Sequence, residues 1–268
     1  MKNNELAKIS KSVRRSIIEM VYRSSGQHVG CALGITDILV VLYFIILRIH
    51  PKKLSDKARD RFILSKGHAC TALYAVLSEK GFFSKKILSD FSKNGSPVAA
   101  HSTLGSLPGI EATAGSLGHG LPMGVGMSIS LKRDYPNSRV YVLVGDGECM
   151  EGSNWEAILF AAHHKLNNLT LIIDDNGLIT LGKTNDILSL QPLEAKLQAF
   201  GWSTIQVDGH NYASLTKALK SRHTQKPTAI IARTIKGKGV SYMENGKEWH
   251  GKSPDKNQYQ LALSELTK

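Results

Sequence analysis

Residues Tyr141 to Asn176 read YVLVGDGECMEGSNWEAILFAAHHKLNNLTLIIDDN. Two β-branched-rich runs, Val140–Val144 and Leu169–Ile173, have the length of strands buried on both faces, and the segment between them is long enough for a crossover helix. This stretch therefore predicts a βαβ unit. Because such units build sheets covered by helices on both faces, we predict an α/β fold with an open, mostly parallel sheet.

Polar residues follow both predicted strands. Asp146 comes after the first strand and Asn176 after the second, 30 positions later. The carboxyl ends of parallel strands lie side by side, so these residues can share one ligand. A carboxylate, an amide and a nearby backbone carbonyl are hard oxygen donors of the kind that Mg2+ or Ca2+ takes, with a diphosphate supplying further ligands. The pattern predicts a metal–diphosphate site; the alternative is a simple turn and loop.

Composition narrows the function classes. The 268 residues suffice for one large α/β domain or two small ones, and the formal net charge is +12. A net positive charge is typical of proteins that bind nucleic acid or an anionic substrate, and it also occurs on a solvated basic surface. The basic residues are scattered, aromatic residues make up 7%, and no nucleic-acid-binding signature occurs. We therefore expect an anionic substrate or a solvated surface rather than nucleic acid.

Several features predict a cytoplasmic protein. Cys31, Cys70 and Cys149 are odd in number and lack metal-ligand spacing, which indicates reduced thiols in the core or near a site. The first 20 residues predict an amphipathic surface helix rather than a signal peptide, with apolar residues at Leu6, Ile9, Val13, Ile17 and Met20. The apolar run Ile38–Leu47 is shorter than the roughly 20 residues of a membrane span, so we predict a buried helix there.

Histidines and glycines mark further candidate ligand-binding segments. His28 lies on a Gly-punctuated loop, and His68 follows the predicted strand Arg61–Ser65, at a strand end where ligands bind in open α/β sheets. The neighbouring Lys66 could reach an anion, but we expect it to be exposed. The loop from Lys93 to Leu117 is rich in Gly, Pro, Ser and Thr and is typical of a functional loop. It leads into a small-residue helix whose first N–H groups suit a phosphate and whose glycines allow close packing against a neighbouring helix.

The motif GDGECMEGSNWEA followed by DDNGL resembles the thiamine diphosphate motif of transketolases. Further similarities are PGIEATAGSLGHG, the DGHN at 208–211, and TIKGKG with a later His-Gly pair at 250–251. They extend over essentially the whole chain. The resemblance implies the thiamine diphosphate-binding fold, with residues 1–268 as one diphosphate-binding (PP) domain and with no pyrimidine-binding or carboxy-terminal domain.

The resemblance also implies roles for individual residues. Asp146, Asn176 and the carbonyl of Leu178 would hold Mg2+ or Ca2+. His68, His250, Gly147 and Asn176 would contact the thiamine diphosphate, as would Gly115, Ser116 and Leu117. Catalytic roles are implied for His28, His68, His101, His250 and Glu151, with Glu151 in a relay at a dimer contact. The resemblance leaves the roles of His119 and Glu156 open, and Lys236 is expected only to solvate its Gly-rich turn.

The resemblance lacks one part of a full transketolase. Activation of the cofactor needs a carboxylate. In the resembling family this carboxylate lies on a pyrimidine-binding domain, which the resemblance does not cover. It therefore implies the amino-terminal subunit of a split, α2β2 transketolase that transfers a two-carbon ketol unit from a ketose to an aldose, as in the pentose phosphate pathway. The alternatives are a transketolase for an unusual ketose, one chain of a deoxyxylulose-phosphate synthase or 2-oxoacid dehydrogenase, and a regulatory or nucleic-acid-binding domain.

Overall fold

The computed structural model describes residues 1–267 and contains a sheet of five parallel strands. Their spatial order is β1-β2-β3-β5-β4, and Val140 of β2 lies in register with Arg61 of β1 and Leu169 of β3. The predicted α/β fold and parallel sheet are confirmed. The strands are β1 (Arg61–Leu64), β2 (Val140–Gly145), β3 (Leu169–Asp175), β4 (Ser203–Asp208) and β5 (Thr228–Arg233).

Helices cover both faces of the sheet because alternate residues of the central strands point to opposite sides. Val140, Val142 and Val144 pack into one apolar cluster, whereas Tyr141 and Leu143 pack into the other. The helices are α1 (Asn3–Ser24), α2 (Val29–Gly34), α3 (Thr36–Val41), α4 (Cys70–Lys80), α5 (Gly120–Asp134), α6 (Gly152–His163), α7 (Thr184–Ile187), α8 (Leu193–Ala199), α9 (Tyr212–Lys220) and α10 (Lys256–Glu265).

The predicted buried helix at Ile38–Leu47 is confirmed in its first part. Helix α3 is wholly buried and continues as a wider helical turn over Leu42–Ile46. Within residues 1–267, none of the helices is both long enough and apolar enough to cross a bilayer. The thiols of Cys31, Cys70 and Cys149 are free and buried.

Two local expectations were wrong. The stretch after His28, part of the predicted Gly-punctuated loop, forms α2. The glycines of α5 were expected to pack against a neighbouring helix. Instead, a Cβ on Gly120 would overlap Ser65 and one on Gly124 would overlap Val142, so these two glycines bring α5 against the sheet.

Candidate active site

A cavity of about 430 Å3 opens at the carboxyl ends of β1, β2 and β3. It is formed there because the loops leaving parallel strands meet at one edge of the sheet. Ten of the residues singled out in the sequence line it: His28, His68, His101, Gly115, Leu117, Asp146, Gly147, Asn176, Leu178 and His250. The structure thus brings together segments that lie up to 222 positions apart in the sequence.

Asp146 is a buried carboxylate at the end of β2. It accepts hydrogen bonds from the Gly147 N–H at 2.8 Å, the Gly177 N–H at 2.7 Å and the Thr184 hydroxyl at 2.9 Å. Burial and the nearby Asp174 charge raise its pKa to about 6. Within residues 1–267 no basic side chain comes within 4.0 Å of this carboxylate, so a cation would relieve its unbalanced charge.

Asn176 and Leu178 follow β3 on the same edge. The Asn176 amide donates to Asp174 at 2.9 Å, and its oxygen accepts the Leu178 N–H at 3.1 Å. The Leu178 carbonyl accepts from the Lys236 ammonium at 3.3 Å. Oxygen donors from both strand ends therefore border one cavity, as the spacing predicts, and this is the donor chemistry of a hard divalent ion.

Lys66, expected to be exposed, is instead 2% exposed. Its ammonium lies 2.5 Å from Asp174, which is fully buried at the end of β3. Burial acts against the ammonium form, but the Asp174 charge outweighs it and raises the pKa of Lys66. The pair joins β1 to β3 and places a permanent cation on the cavity wall.

Lys236 was expected only to solvate a turn, and it is 1% exposed. Its ammonium contacts the Leu178 carbonyl and lies 3.1 Å from Nδ1 of His250. Burial lowers its pKa. Among the described residues no carboxylate lies within 4.0 Å of its Nζ, so this cation is available to an anionic ligand.

His210 holds the turn that carries Lys236. Its Nε2 accepts the Ile235 N–H at 2.8 Å, and its Nδ1 lies 2.8 Å from Asp37, which in turn pairs with Arg14 at 2.7 Å. The DGHN motif therefore acts from outside the cavity, by fixing the backbone next to Lys236.

The histidines predicted for the substrate pocket converge. The ring centroid of His28 lies 5.1 Å from the ring centroids of His68 and His250 and 6.3 Å from the ring centroid of His101. Burial, reinforced by neighbouring positive groups, lowers the pKa of His28 and of His250 to about 4, and burial also lowers the pKa of His68. At neutral pH these three imidazoles are therefore uncharged, and each can donate and accept one hydrogen bond.

Cys31 and Glu148 also line the cavity, although neither was assigned a specific site role from the sequence. The Cys31 thiol hydrogen-bonds to His68 and lies 3.5 Å from Nδ1 of His250. Burial opposes ionisation of this thiol, but the hydrogen bond to His68 and the Lys66 charge lower its pKa overall.

Glu148, which is 2% exposed, accepts hydrogen bonds from the Ser65 hydroxyl, the Gly118 N–H at 2.9 Å and the Gly145 N–H at 3.2 Å. The sequence signal that could have identified Glu148 is its position in the Gly-rich turn that follows a strand.

The loop before α5 is held close to the cavity by a glycine. A Cβ on Gly67 would lie 2.7 Å from the carbonyl carbon of Ala114, so only glycine allows this approach. Gly115 and Leu117 line the cavity, whereas the neighbouring Ser116 is exposed and does not. Glu151, Glu156 and His119 are likewise exposed and outside the cavity lining.

The arrangement has two chemically different parts. Asp146, Asn176 and Leu178 present oxygen atoms suited to a hard cation, and Lys66 and Lys236 present ammonium groups suited to an anion. Imidazoles border both parts. Such a cavity suits a metal-bound diphosphate with a hydroxyl-bearing substrate beside it.

Comparison with known proteins agrees with this chemistry. Residues 6–265 match the model of the family described as "Transketolase, thiamine diphosphate binding domain". The chain is 40% identical to one subunit of the apulose-4-phosphate transketolase of Phocaeicola vulgatus, over 96% of this chain and 92% of that protein. It is 36% identical to the 6-deoxy-6-sulfo-D-fructose transketolase subunit of a Clostridium species, over 96% of this chain and 94% of that protein.

A solved structure extends the comparison. The transketolase of Campylobacter jejuni superposes with a TM-score of 0.91 at 30% sequence identity, covering 100% of this chain and 43% of that one. The chain therefore spans less than half of that transketolase, but nearly all of the two subunit relatives.

Proposed function

Because this chain belongs to the transketolase family and matches it across the thiamine diphosphate-binding domain, we propose that it is the amino-terminal subunit of a two-chain transketolase. The proposed enzyme moves a two-carbon ketol unit from a ketose to an aldose. One observation carries the proposal: oxygen donors from two strand ends, the Lys66 ammonium and a group of histidines border the same cavity, and the buried Lys236 contacts two of its lining residues. This favours ketol transfer over the other thiamine enzymes and the non-enzymatic functions considered above.

The oxygen donors fit a divalent ion. Asp146 supplies the charge, while the Asn176 amide oxygen and the Leu178 carbonyl would complete the protein's share of the ligands. The raised pKa of Asp146 supports this assignment, because a carboxylate without a counter-ion is destabilised when buried. Mg2+ or Ca2+ matches such donors better than a softer metal.

The cationic groups fit the diphosphate. Lys236 has no carboxylate partner within the described part of the chain and would neutralise one phosphate charge. Lys66 is already balanced by Asp174, so it would act through hydrogen bonds and its position. His68, His250 and the backbone N–H groups of Gly147 and Gly115–Leu117 would complete the contacts.

Thiamine diphosphate, when bound, supplies an electron sink for the carbon–carbon bond cleavage that ketol transfer needs. The chain's own share is to orient the sugar and to handle protons. His28, uncharged at neutral pH, can accept a hydroxyl proton or donate to a carbonyl oxygen, and His101 stands beside it as a second hydrogen-bonding group.

We propose that residues 1–268 form a single diphosphate-binding domain and that the pyrimidine-binding domain lies on a partner chain. That partner would supply the carboxylate that activates the cofactor. Glu151 is exposed at the start of α6, and we propose that it contacts a second copy in an α2β2 assembly. We further propose a cytoplasmic location.

The substrate proposal rests on the relatives' names. One is named for a ketose phosphate and another for a sulfonated ketose, and both substrates carry an anionic group away from the carbonyl. We propose a donor ketose with such a group. A specialised pathway is therefore as compatible with the site as the pentose phosphate pathway.

The test combines the purified chain with its partner. Asp146→Asn should lower thiamine diphosphate affinity in the presence of Mg2+ by about 10- to 100-fold, since charge-assisted contacts contribute roughly 1.5–3 kcal/mol. Calorimetry measures the affinity, and a ketose phosphate donor with an aldose acceptor measures transfer. Asp175→Asn is the matched control, because Asp175 ends the same sheet edge on β3 but does not line the cavity. Full activity from the isolated chain would refute the two-chain enzyme.

A further inference from the structure

A cysteine and two histidines meet at one wall of the cavity. The Cys31 sulfur and one ring nitrogen each of His68 and His250 all lie within 4.8 Å of one another. Cys31 belongs to α2, His68 to the turn after β1, and His250 to the turn Lys247–His250. Three segments remote in sequence therefore hold one sulfur and two nitrogen atoms together.

We propose that Cys31, His68 and His250 form a binding site for a soft divalent ion, Zn2+, separate from the oxygen site at Asp146. Tetrahedral zinc with Zn–S of about 2.3 Å and Zn–N of about 2.0–2.1 Å separates its sulfur and nitrogen ligands by about 3.5 Å. The distance from Cys31 Sγ to His250 Nδ1 is 3.5 Å. Three protein ligands leave the fourth position open.

The donor chemistry separates the two sites. Thiolate and imidazole prefer zinc, whereas carboxylate, amide and carbonyl oxygens prefer Mg2+ or Ca2+. Each candidate site draws on its own residues, so the two ions need not compete for a side chain. Zinc binding converts the Cys31 thiol to a thiolate and releases its proton to solvent, and the two imidazoles bind in their neutral form.

Two lysine ammonium groups, those of Lys66 and Lys236, lie near the proposed zinc ligands and would repel a bound cation. The Lys66 ammonium pairs with Asp174, which offsets part of its repulsion toward a bound cation. The Lys236 ammonium lies 3.1 Å from the same His250 nitrogen that faces Cys31, so it must turn away when the metal binds. From the same position it donates to the Leu178 carbonyl at 3.3 Å, so this hydrogen bond must adjust as well.

Zinc at this site would oppose cofactor and substrate. His68 and His250 would be occupied by the metal and lost as contacts to diphosphate and sugar. This consequence rests on the proposed function, whereas the metal binding itself does not. We therefore expect Zn2+ to weaken thiamine diphosphate binding while excess Mg2+ leaves the zinc in place.

The experiment titrates the reduced, metal-free full chain with ZnCl2 in a calorimeter and with CoCl2 in a spectrophotometer. We expect one ion per chain and, with cobalt, a thiolate-to-metal charge-transfer band. Cys31→Ser should abolish the band and weaken zinc binding by more than the roughly 10-fold lost on mutating an outer partner of a metal ligand. His250→Gln should weaken binding similarly, and circular dichroism checks the fold of both variants.

Two controls keep the assignment specific. Cys70→Ser removes a buried thiol that donates to the Ala100 carbonyl at 3.0 Å, outside the cavity, and should leave zinc binding unchanged. Asp146→Asn should also leave it unchanged. Absence of stoichiometric zinc binding, or binding that survives both Cys31→Ser and His250→Gln, would overturn the proposal. Because no readout here depends on ketol transfer, these outcomes are independent of the proposed function.

Discussion

Removing the Lys66 ammonium should destabilise the fold strongly. Lys66→Met keeps the side chain's length but leaves Asp174, fully buried, without its counter-ion. Thr234 and Asn176 still donate to this carboxylate, so two hydrogen bonds remain while the ion pair is lost. Breaking a buried pair from one side costs about 3–5 kcal/mol, and we expect the free energy of unfolding to fall by that amount.

Urea unfolding of the purified chain at pH 7 measures this loss. The double variant Lys66→Met/Asp174→Asn removes both charges and should recover most of the lost stability, to within about 2 kcal/mol of the wild type. Lys238→Met is the matched control, because its pair with Glu244 is partly exposed and should contribute no more than about 1 kcal/mol. A loss below about 1 kcal/mol for Lys66→Met, or no recovery in the double variant, would refute the reasoning.

Two further predictions concern groups around the cavity. His210→Phe removes the acceptor of the Ile235 N–H and the partner of Asp37, so it should lower unfolding stability by about 1–3 kcal/mol in a urea titration, whereas the exposed His50→Phe should not. Stability should also fall as the pH drops from 6.5 toward 4, because the unfolded chain binds protons at His28 and His250 that the folded chain, with pKa values of about 4, does not. Unfolding measured at pH 7 and pH 5 should show a smaller difference for His28→Gln/His250→Gln, and an equal difference would contradict this origin.

The strands of the sheet could be predicted because the residue pattern of a buried strand is visible within its own segment. A strand buried on both faces must be apolar along its whole length, and the runs at 140–144 and 169–173 show this without any knowledge of the partner strands. The polar residues that end these runs could be placed for the same reason, since parallel strands share an edge.

The burial of Lys66 and Lys236 could not be predicted from a local pattern. Whether Lys66 is exposed depends on Asp174, which is 108 positions away and becomes its neighbour only when β1 and β3 enter the same sheet. Lys236 is buried because the turn at 235–237 packs against α2, where a Cβ on Gly30 would lie 3.2 Å from the Lys236 side chain. Isolated lysines are usually solvated, and nothing next to them in the sequence marked these two as exceptions.

Helix α2 and the histidine cluster show a similar limit. His28 has a left-handed backbone conformation and makes no side-chain cap, so the start of α2 has no local signal. The positions of His28, His68, His101 and His250 could be named from the resemblance, but their mutual distances follow only from the folded chain. Their roles as contacts to substrate and cofactor stay predictions.

A backbone hydrogen bond between His28 and His250 affects when the cavity can form during protein synthesis. The His28 N–H donates to the His250 carbonyl at 2.7 Å, so one wall of the cavity joins two segments that are synthesised far apart in time. During translation, which proceeds from the amino terminus, the earlier segments can form structure while this bond is still impossible. The pocket is therefore completed only after residue 250 has emerged from the ribosome. A nascent chain stalled at β5 would carry most of the sheet and yet no finished site.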